Sequence, residues 1–361
     1  MSALSKPAEL PSWNIPPSDV TVKVSVIDTT TRVHGLPTSL FFVPLIGGND
    51  TIHCPVYSFL IEHEPSGKKL VFDLGVSKTW RDGPPVISKK IIENHWQVDV
   101  EKSVSEILTE HNVPLEQINS VIWSHYHWDH TGDPSLFPST TSLTVGPGFK
   151  KALTPGYPTN PNAPILESAY KGRELVEISF DDKAELLLGR FRAVDYFGDG
   201  SFYLVDSPGH AIGHICGLAR TTPDTFVFMG GDICHHAGQI RPTKYLPMPE
   251  NISPNPFKPR GPPCPGSLLV DAHPLCTSTE PFYRVAEGGY YDDAEESQRS
   301  LSKLEELDGH PNILTVIAHD NTLLDIIDFY PKTINDWRSK GYKERAMWEF
   351  VRDFREAVKL D

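Results

Sequence analysis

The stretch SHYHWDHTGD, Ser124–Asp133, holds three histidines and two aspartates in ten residues. It directly follows the apolar run INSVIW, which has the composition of a buried strand. In an extended segment side chains alternate between two faces, so His125, His127 and Asp129 are predicted to project the same way. Imidazole and carboxylate groups are ligands that suit zinc, iron or manganese. The stretch therefore predicts a metal site just past the end of a strand.

Three further candidate ligands lie where apolar runs meet polar loops. His210 follows DSPG, Asp232 follows TFVFMGG, and His319 follows ILTVIA. Ends of strands in α/β layers are where active sites are commonly built. A lone histidine in such a place is more often structural, but three such positions beside the ten-residue motif favour ligation. Two metal ions about 3.5 to 4 Å apart need ligands at this density.

The strand and helix patterns fall into an N-terminal and a C-terminal set, which predicts an α/β protein with two stacked sheets. The predicted strands are Thr21–Thr29, Val56–His63, Lys69–Gly75, Ile118–Ser124, Thr225–Asp232 and Asn312–Asp320. Helical spacing predicts helices over Val100–Val113, over Asp292–Gly309 and over the tail at 342–360, and the region from about 134 to 172 is predicted to be helices or loops.

The chain is predicted to be one large domain at 21–361 that ends in the helix of the tail, preceded by a polar, Pro-rich arm at 1–20. Prolines at 241–266 exclude a helix or a central strand there. This segment is either a surface insertion or a lid over the site, because long loops in compact domains often carry function.

Composition restricts the partners and the compartment. The formal charge of −14 and the pI near 5.5 disfavour nucleic acid. No membrane is expected as a partner either, since the N-terminus lacks an apolar signal region and no window reaches the length of a membrane span. Five cysteines without a C-x-x-C pair indicate a reducing, cytoplasmic location. We expect a small-molecule substrate and a monomer or homodimer.

The motifs FDLG, SHYHWDHTGD, DSPGHAIGH, GGD and AHD, in this order, resemble those of the metallo-β-lactamase superfamily over roughly residues 22–325. The resemblance implies a four-layer αβ/βα sandwich with a dinuclear site, and it assigns a role to each candidate. One metal ion would be held by His125, His127 and His210, the other by Asp129, His130 and His319, with Asp232 bridging both and Asp73 orienting the site.

Within the superfamily the ligand set narrows the function. True β-lactamases lack the bridging aspartate found here as Asp232, flavodiiron proteins have glutamate where His127 stands, and the nucleases carry an extra domain. The sequence looks most similar to the N-acyl homoserine lactonases, which are quorum-quenching enzymes, and to fungal relatives that open lactones or small cyclic amides; GGDICHHAGQIRP resembles the fungal members.

The implied activity is opening of a lactone by a hydroxide that bridges two divalent metal ions, with zinc favoured and iron, manganese or cobalt as alternatives. A lactam or a thioester on the same site is the nearest alternative. An iron-dependent oxygenase or a non-catalytic scaffold represents a different class of function.

One departure from the lactonases concerns substrate contact. They have a tyrosine three residues after the bridging aspartate, where this sequence has His235. Either His235 or Asp129 could act as the proton donor. His236 is an equally good candidate for the role of that tyrosine, and either histidine could instead be structural. His214, within PGHAIGH, is predicted to be structural, Cys234 to be a buried apolar residue and Asp133 to belong to the loop.

Overall fold

The computed structural model describes residues 6–180, 186–288 and 290–358. Their strands are β1 (Lys23–Pro37), β2 (Phe42–Val43), β3 (Thr51–His63), β4 (Lys68–Phe72), β5 (Gln97–Asp99), β6 (Ile118–Ile122), β7 (Ser142–Val145), β8 (Leu175–Glu177), β9 (Leu187–Leu188), β10 (Phe191–Asp195), β11 (Phe202–Asp206), β12 (Ile215–Arg220), β13 (Phe226–Met229), β14 (Asn251–Ile252), β15 (Cys264–Pro265), β16 (Arg284–Val285) and β17 (Ile313–Val316). Their α-helices are α1 (Pro85–Glu93), α2 (Val104–Glu110), α3 (Trp128–Thr131), α4 (Phe149–Leu153), α5 (Gly266–Ala272), α6 (Ala294–Asp308) and α7 (Tyr342–Ala346). Among these helices, none combines the length and the apolar character needed to cross a membrane.

Two β-sheets form the centre of the fold. One has the strand order β5-β1-β3-β4-β6-β7-β8, and the other has the order β17-β13-β12-β11-β10-β9. In the first sheet β1, β3 and β4 are antiparallel, whereas β4, β6, β7 and β8 run parallel. The N-terminal half of the chain supplies the first sheet and the C-terminal half supplies the second. With helices on the outer faces, this is the predicted four-layer sandwich.

Alternating side chains build the layers. Leu70 and Phe72 of β4 pack into the core between the sheets, while Val71 between them packs outward with residues of α2. In the second sheet Leu204 faces the inter-sheet core and Val205 packs with residues of α6. Since successive residues of a strand point to opposite faces, a strand covered on both sides must be apolar throughout. The continuous apolar runs of the sequence meet this requirement.

Two predicted elements differ in extent, and one strand lies where none was predicted. The first strand was predicted at 21–29 but runs over Lys23–Pro37, with an irregular register between Asp28 and Arg32 that interrupts the alternation of the sequence. The helix predicted at 100–113 is limited to Val104–Glu110, because Ser103 forms a capping box at its start. Strand β7 lies in the region predicted to be helices or loops, and its four residues are too few to show a period.

The prediction of one C-terminal amphipathic helix over 342–360 is wrong. The chain forms α7 at Tyr342–Ala346 and then a separate 3-10 helix at Glu349–Phe354. The first piece packs into the core between the sheets, and the second packs into a different apolar cluster around Phe282. One straight helix cannot present its apolar side chains to both clusters, so the helix is interrupted. Residues 359–361 lie outside the described part of the chain.

The Pro-rich segment at 241–266 contains no strand of either large sheet, and α5 begins only at its last residue, Gly266, in agreement with the prediction. It is not a loose surface insertion, however. Met248, Ile252, Phe257 and Cys264 are buried in the cluster around Phe282, and Ile252 pairs with Cys264 across the small β14–β15 ladder. The segment is therefore fixed by apolar packing where its composition suggested only turns.

The described part of the N-terminal arm, residues 6–20, has no regular structure and lies against the second sheet. The Trp13 ring packs edge-on against Phe226, with ring centroids 4.7 Å apart. The backbone N–H of Gly189 donates to the Trp13 carbonyl at 2.7 Å, and the Arg220 guanidinium donates to the Pro16 carbonyl at 2.6 Å. Residues 1–5 of the predicted arm lie outside the described residues.

Candidate metal centre

The ten-residue motif begins beyond the end of β6 and turns into α3. The backbone of His127 is extended, and the helix starts with the next residue, so Asp129 and His130 lie on a helical turn. The prediction that Asp129 projects with His125 and His127 is therefore wrong. The turn separates the motif into two pairs of side chains that face different points.

Three imidazole nitrogens and one carboxylate oxygen form a first cluster. His210 Nε2 lies 3.2 Å from His125 Nε2 and 3.0 Å from His127 Nδ1. Asp232 Oδ2 lies 3.5 Å from His210 Nε2 and 3.8 Å from His125 Nε2. Because these four ligand atoms lie within 4.8 Å of one another, they can surround a single metal ion.

Asp129, His130, Asp232 and His319 form a second cluster. Asp232 Oδ1 lies 3.0 Å from His130 Nε2 and 3.1 Å from His319 Nε2. Asp129 Oδ2 lies 3.4 Å from His319 Nε2 and 3.8 Å from His130 Nε2. Since Oδ2 of Asp232 faces the first cluster and Oδ1 faces the second, this one carboxylate connects the two.

The donor atoms of both clusters suit divalent cations. Burial lowers the pKa of His125 and His210 well below the usual value and that of His127 to about 4, so these three rings are neutral. A single proton cannot satisfy three converging nitrogens and Asp232 at once, whereas a cation can. His130 Nε2 is buried without a well-oriented hydrogen bond to any described residue. The two clusters are therefore metal-binding groups for divalent cations.

Opposite charges are balanced in the second cluster. Burial by itself would lower the pKa of His130, but Asp232, Asp129 and Asp73 raise it to about 10. Burial would also lower the pKa of His319, but Asp232 raises it well above its usual value. A divalent cation in this cluster would replace the protons of two imidazolium rings as the counter-charge of the carboxylates.

A cavity of about 280 Å³ lies over the two clusters. Its polar end is formed by side chains of the clusters and by His235. Its remaining walls are mostly apolar or aromatic and come largely from β1, β3, α1 and the neighbouring loops: Leu36, Phe41, Ile52, Ile87, Ile91, Trp96, Tyr126, Trp128, Pro164 and Tyr290. Residues 241–266 do not line it, so the lid interpretation of that segment is wrong. An apolar cavity with polar groups at one end fits a small organic substrate.

A family model and several known proteins match the sequence of this chain. The family model described as the metallo-beta-lactamase superfamily matches residues 51–311. The chain belongs to this superfamily. The gamma-lactamase FDB1 of Fusarium pseudograminearum (strain CS3096) is 44% identical over 98% of this chain and 87% of its own length. The metallo-hydrolase mfmC of Annulohypoxylon moriforme is 44% identical over 98% of this chain and 92% of its own length.

A solved structure supports the fold of this metallo-beta-lactamase superfamily member. It is an N-acyl homoserine lactone hydrolase with the product N-hexanoyl-L-homoserine bound at its catalytic metal centre. The TM-score is 0.58, and the match covers 87% of this chain and 100% of the other. At 15% identity the likeness concerns the fold alone. The protein is thus a metallo-hydrolase by family, with His and Asp clusters for divalent metals.

The Asp73 carboxylate contacts His130, a residue of the second cluster in this superfamily member. It accepts the backbone N–H of Ser124 at 2.6 Å and the Ser124 hydroxyl at 2.7 Å, and it lies 2.9 Å from His130 Nδ1. With Nδ1–H donated to Asp73, Nε2 of His130 is directed at the cluster, where a bound cation would take the place of its proton. His319 is oriented in the same way, because its Nδ1 lies 3.0 Å from the Pro55 carbonyl.

Replacing Asp73 with asparagine should lower the affinity for metal by about 10- to 100-fold, the usual cost of losing a group that orients a ligand. Asparagine keeps the size and can accept the Ser124 N–H, but it lacks the charge that holds His130. Competition with a chromophoric chelator measures the affinity. Asp133→Asn is the matched control, since Asp133 accepts hydrogen bonds from Ser135 in the same motif. Equal affinities in Asp73→Asn and wild type would refute the orienting role.

His235 lines the cavity beside the first cluster. Its Nε2 lies 3.2 Å from Asp232 Oδ2, and its Nδ1 lies 3.1 Å from the Tyr291 hydroxyl. The Phe41 ring packs on the His235 ring with centroids 4.4 Å apart. Burial lowers the pKa of His235. A neutral imidazole at this point can take up a proton from the site and release it again.

His236 faces away from the cavity. Its Nε2 lies 3.3 Å from Asp353 Oδ2, and its Nδ1 accepts the backbone N–H of Gly238 at 2.9 Å. Its side chain thereby caps the 3-10 helix at Ala237–Gln239. His235, and not His236, is therefore the histidine that lies beside the metal-binding clusters.

The remaining motif residues occupy supporting positions. His214 Nε2 accepts the backbone N–H of Asp232 at 3.1 Å, and its Nδ1 lies 2.8 Å from the Ser207 hydroxyl. Cys234 is fully buried, which raises the pKa of its thiol. Asp133 caps the 3-10 helix that follows the motif. Each position agrees with the structural role that the sequence predicted.

Sequence reasoning missed Tyr291 and most of the cavity wall. Tyr291 lies in the stretch GGYYDD, which has no periodic pattern, and its only signal is that it stands two residues before Asp293, the N-cap of α6. The wall residues of β1 lie beyond the end of the strand that was predicted there, and the helix α1 was not predicted at all. Neither group contains a residue type that points to chemistry by itself.

Proposed function

We propose that the protein hydrolyses the ring amide of a small lactam with an apolar body. The observation that carries the proposal is His235 Nε2 at 3.2 Å from Asp232 Oδ2, on the wall of the cavity. An amine leaves a carbonyl carbon far less readily than an alcohol and must be protonated as it leaves, so a proton carrier at this point favours an amide substrate. The name of the relative FDB1, a gamma-lactamase, supports the same choice.

In this proposal His125, His127 and His210 would hold one divalent cation and Asp129, His130 and His319 would hold the other, with Asp232 available to both. Zinc suits nitrogen and oxygen donors of this kind, and iron, manganese and cobalt are also compatible. The bound cations would lower the pKa of a water molecule toward about 7 and polarise the substrate carbonyl. Asp232 is the residue on which the pairing of the two cations depends.

The protein's own side chains perform the remaining steps. The apolar walls around Trp96 and Tyr290 take up the body of the ring and exclude bulk water. As the water oxygen bonds to the carbonyl carbon, His235 Nε2 accepts a proton and passes it to the ring nitrogen while the C–N bond breaks. Asp129, which also lines the cavity, is the second candidate for proton transfer. The product is an amino acid with an open chain.

The lactone favoured by sequence reasoning stays a prediction, as does the thioester alternative. An alkoxide or thiolate needs less help in leaving than an amide nitrogen, so the same site can act on those substrates with less dependence on His235. The net charge of −14 supports a small molecule over nucleic acid as partner. A cytoplasmic location and a monomer or homodimer remain expectations.

Three substrates with the same apolar body, a γ-lactam, a γ-lactone and a thioester, test the proposal. We expect His235→Gln to lower kcat/KM for a γ-lactam by about 10²-fold, the lower end of the range for general acid–base catalysis, and to lower it by less than about 10-fold for the γ-lactone and thioester of the same body. His236→Gln, one residue further along and facing Asp353, is the control. Chelation followed by addition of zinc, manganese, cobalt or iron identifies the cation that restores turnover.

Three outcomes would overturn the proposal. Wild-type hydrolysis of the lactone with no detectable turnover of the lactam would return the substrate to a cyclic ester. Oxygen consumption by the iron-loaded protein with no hydrolysis of any member of the panel would place it among the oxygenases. A purified protein that binds no stoichiometric metal would favour the scaffold.

A further inference from the structure

Lys90 is the only lysine or arginine among the described residues that line the cavity. It lies in the last turn of α1. Ile87 is followed three and four residues later by Lys90 and Ile91, and residues at these spacings share one face of a helix. All three side chains line the cavity, whereas Lys89 does not. The helix therefore places one cationic group in a wall that it otherwise builds from isoleucines.

Two aromatic side chains separate Lys90 from the metal-binding clusters. The Phe41 ring packs on His235 with centroids 4.4 Å apart and on Tyr290 with centroids 5.4 Å apart. The Lys90 ammonium lies over the Tyr290 ring, 3.8 Å from its centroid. A molecule whose ring amide reaches the clusters would extend along Phe41 and Tyr290 and present its other end to Lys90.

The charge of Lys90 has no counter-charge nearby. In the described part of the chain, no carboxylate oxygen lies within 4.0 Å of its ammonium. Partial burial lowers the pKa of Lys90, because part of the hydration of the ammonium is lost. Elsewhere on the surface Lys78 and Lys102 each pair with a glutamate. An anionic group of a ligand in the cavity would supply the counter-charge that Lys90 lacks.

We propose that Lys90 selects substrates that carry a carboxylate on the apolar body, at the end away from the ring amide. This inference rests on the proposed function, since it names the class of lactam that the site would accept. The apolar walls would take up the body, and the Lys90 ammonium would donate a charge-assisted hydrogen bond to the carboxylate. Because the chain has a net charge of −14, it repels anions in general, and a local cation is needed to admit one.

Carboxylated and uncharged forms of the γ-lactam and of the γ-lactone test the inference on the metal-loaded protein. We expect wild type to favour the carboxylated γ-lactam by about 10-fold in kcat/KM, the effect of one charge-assisted hydrogen bond at a partly exposed site. Lys90→Met keeps an unbranched side chain over Tyr290 and removes the charge. It should raise KM for the carboxylated form by about 10-fold and change its kcat by less than about 2-fold, because binding away from the reacting atoms is lost.

The matched control is Lys89→Met, the same substitution one residue earlier on α1. Lys89 does not line the cavity, so its replacement should leave KM for both forms as in wild type. Lys90→Glu places a like charge opposite the carboxylate and should reverse the preference, so that the uncharged lactam becomes the better substrate.

Equal kcat/KM for the carboxylated and uncharged forms in wild type would overturn the inference. An equal rise of KM for both forms in Lys90→Met would also overturn it, since the side chain would then act only by packing on Tyr290. If the lactones are hydrolysed and the lactams are not, the proposed function fails, while the preference between the two lactones still decides the role of Lys90. If neither is hydrolysed, calorimetric titration of wild type and Lys90→Met with the carboxylated lactam decides it from Kd.

Discussion

Replacing Asp232 with asparagine should reduce kcat/KM by about 10³-fold or more and lower the bound metal from two ions per chain toward one. The carboxylate is the only described group with an oxygen in each cluster, Oδ2 toward His210 and Oδ1 toward His130 and His319. Asparagine fills the same volume but turns one of these oxygens into an amide nitrogen that cannot ligate. Losing the Lewis acid of one cluster removes several kcal/mol of transition-state stabilisation, and each 1.4 kcal/mol, roughly, is tenfold in rate.

Metal content by mass spectrometry and kcat/KM on the lactam are measured on the same preparations. Asp133→Asn, an aspartate of the same motif outside both clusters, should retain the metal content and activity of wild type. Full turnover with unchanged metal content in Asp232→Asn would contradict the shared-ligand assignment. Reduced metal with full turnover would instead show that one cluster is sufficient for the reaction.

Replacing Asp308 with alanine should destabilise the protein by about 3–5 kcal/mol, the cost of leaving a buried ion without its partner. Arg241 donates to both carboxylate oxygens of Asp308 at 2.7 Å, and both side chains are buried. The Lys343 ammonium is also enclosed here, and it donates to the backbone carbonyls of Asp308 and Ile313 at 2.6 Å. This network joins the start of the Pro-rich segment, the end of α6 and α7.

Urea denaturation of the metal-loaded protein at pH 7 measures the loss. Glu110→Ala is the control, because the pair of Glu110 with Lys102 is exposed and such pairs contribute about 0–1 kcal/mol. Burial would raise the pKa of Asp308, but Arg241 holds it at about 2. The contribution of the ion pair should therefore persist down to about pH 4 and be lost as the pH falls toward 2. A loss under about 1 kcal/mol in Asp308→Ala would show that the segment does not depend on this pair.

The chemistry of the site was readable from short stretches of sequence. His125, His127 and His130 lie within six residues, and His210, Asp232 and His319 each follow a strand, so local pattern and strand ends located them. Continuous apolar runs also located strands of both sheets, among them β4 and β13. The roles of Asp232 and Asp73 came from the resemblance, and the structure places both carboxylates at distances consistent with those roles.

Other features depend on how distant segments meet. His235 and His236 are adjacent and identical in type, so only the fold could direct one toward Asp232 and the other toward Asp353. The lid suggested by the length of the Pro-rich loop is wrong because that segment is buried in the apolar cluster around Phe282.

The sequence by itself determined the two stacked sheets and the kinds of metal ligand, because periodicity and ligand chemistry are properties of short stretches of chain, whereas the four-layer sandwich came from the resemblance. Tertiary structure decided that Asp129 turns away from His125 and His127, which residues wall the cavity, and that Tyr291 meets His235 from 56 residues away. These depend on side-chain directions where loops from both sheets converge, and such directions follow no period in the sequence. The proposed proton path and the proposed substrate therefore depend on contacts that exist only after the two sheets have packed together.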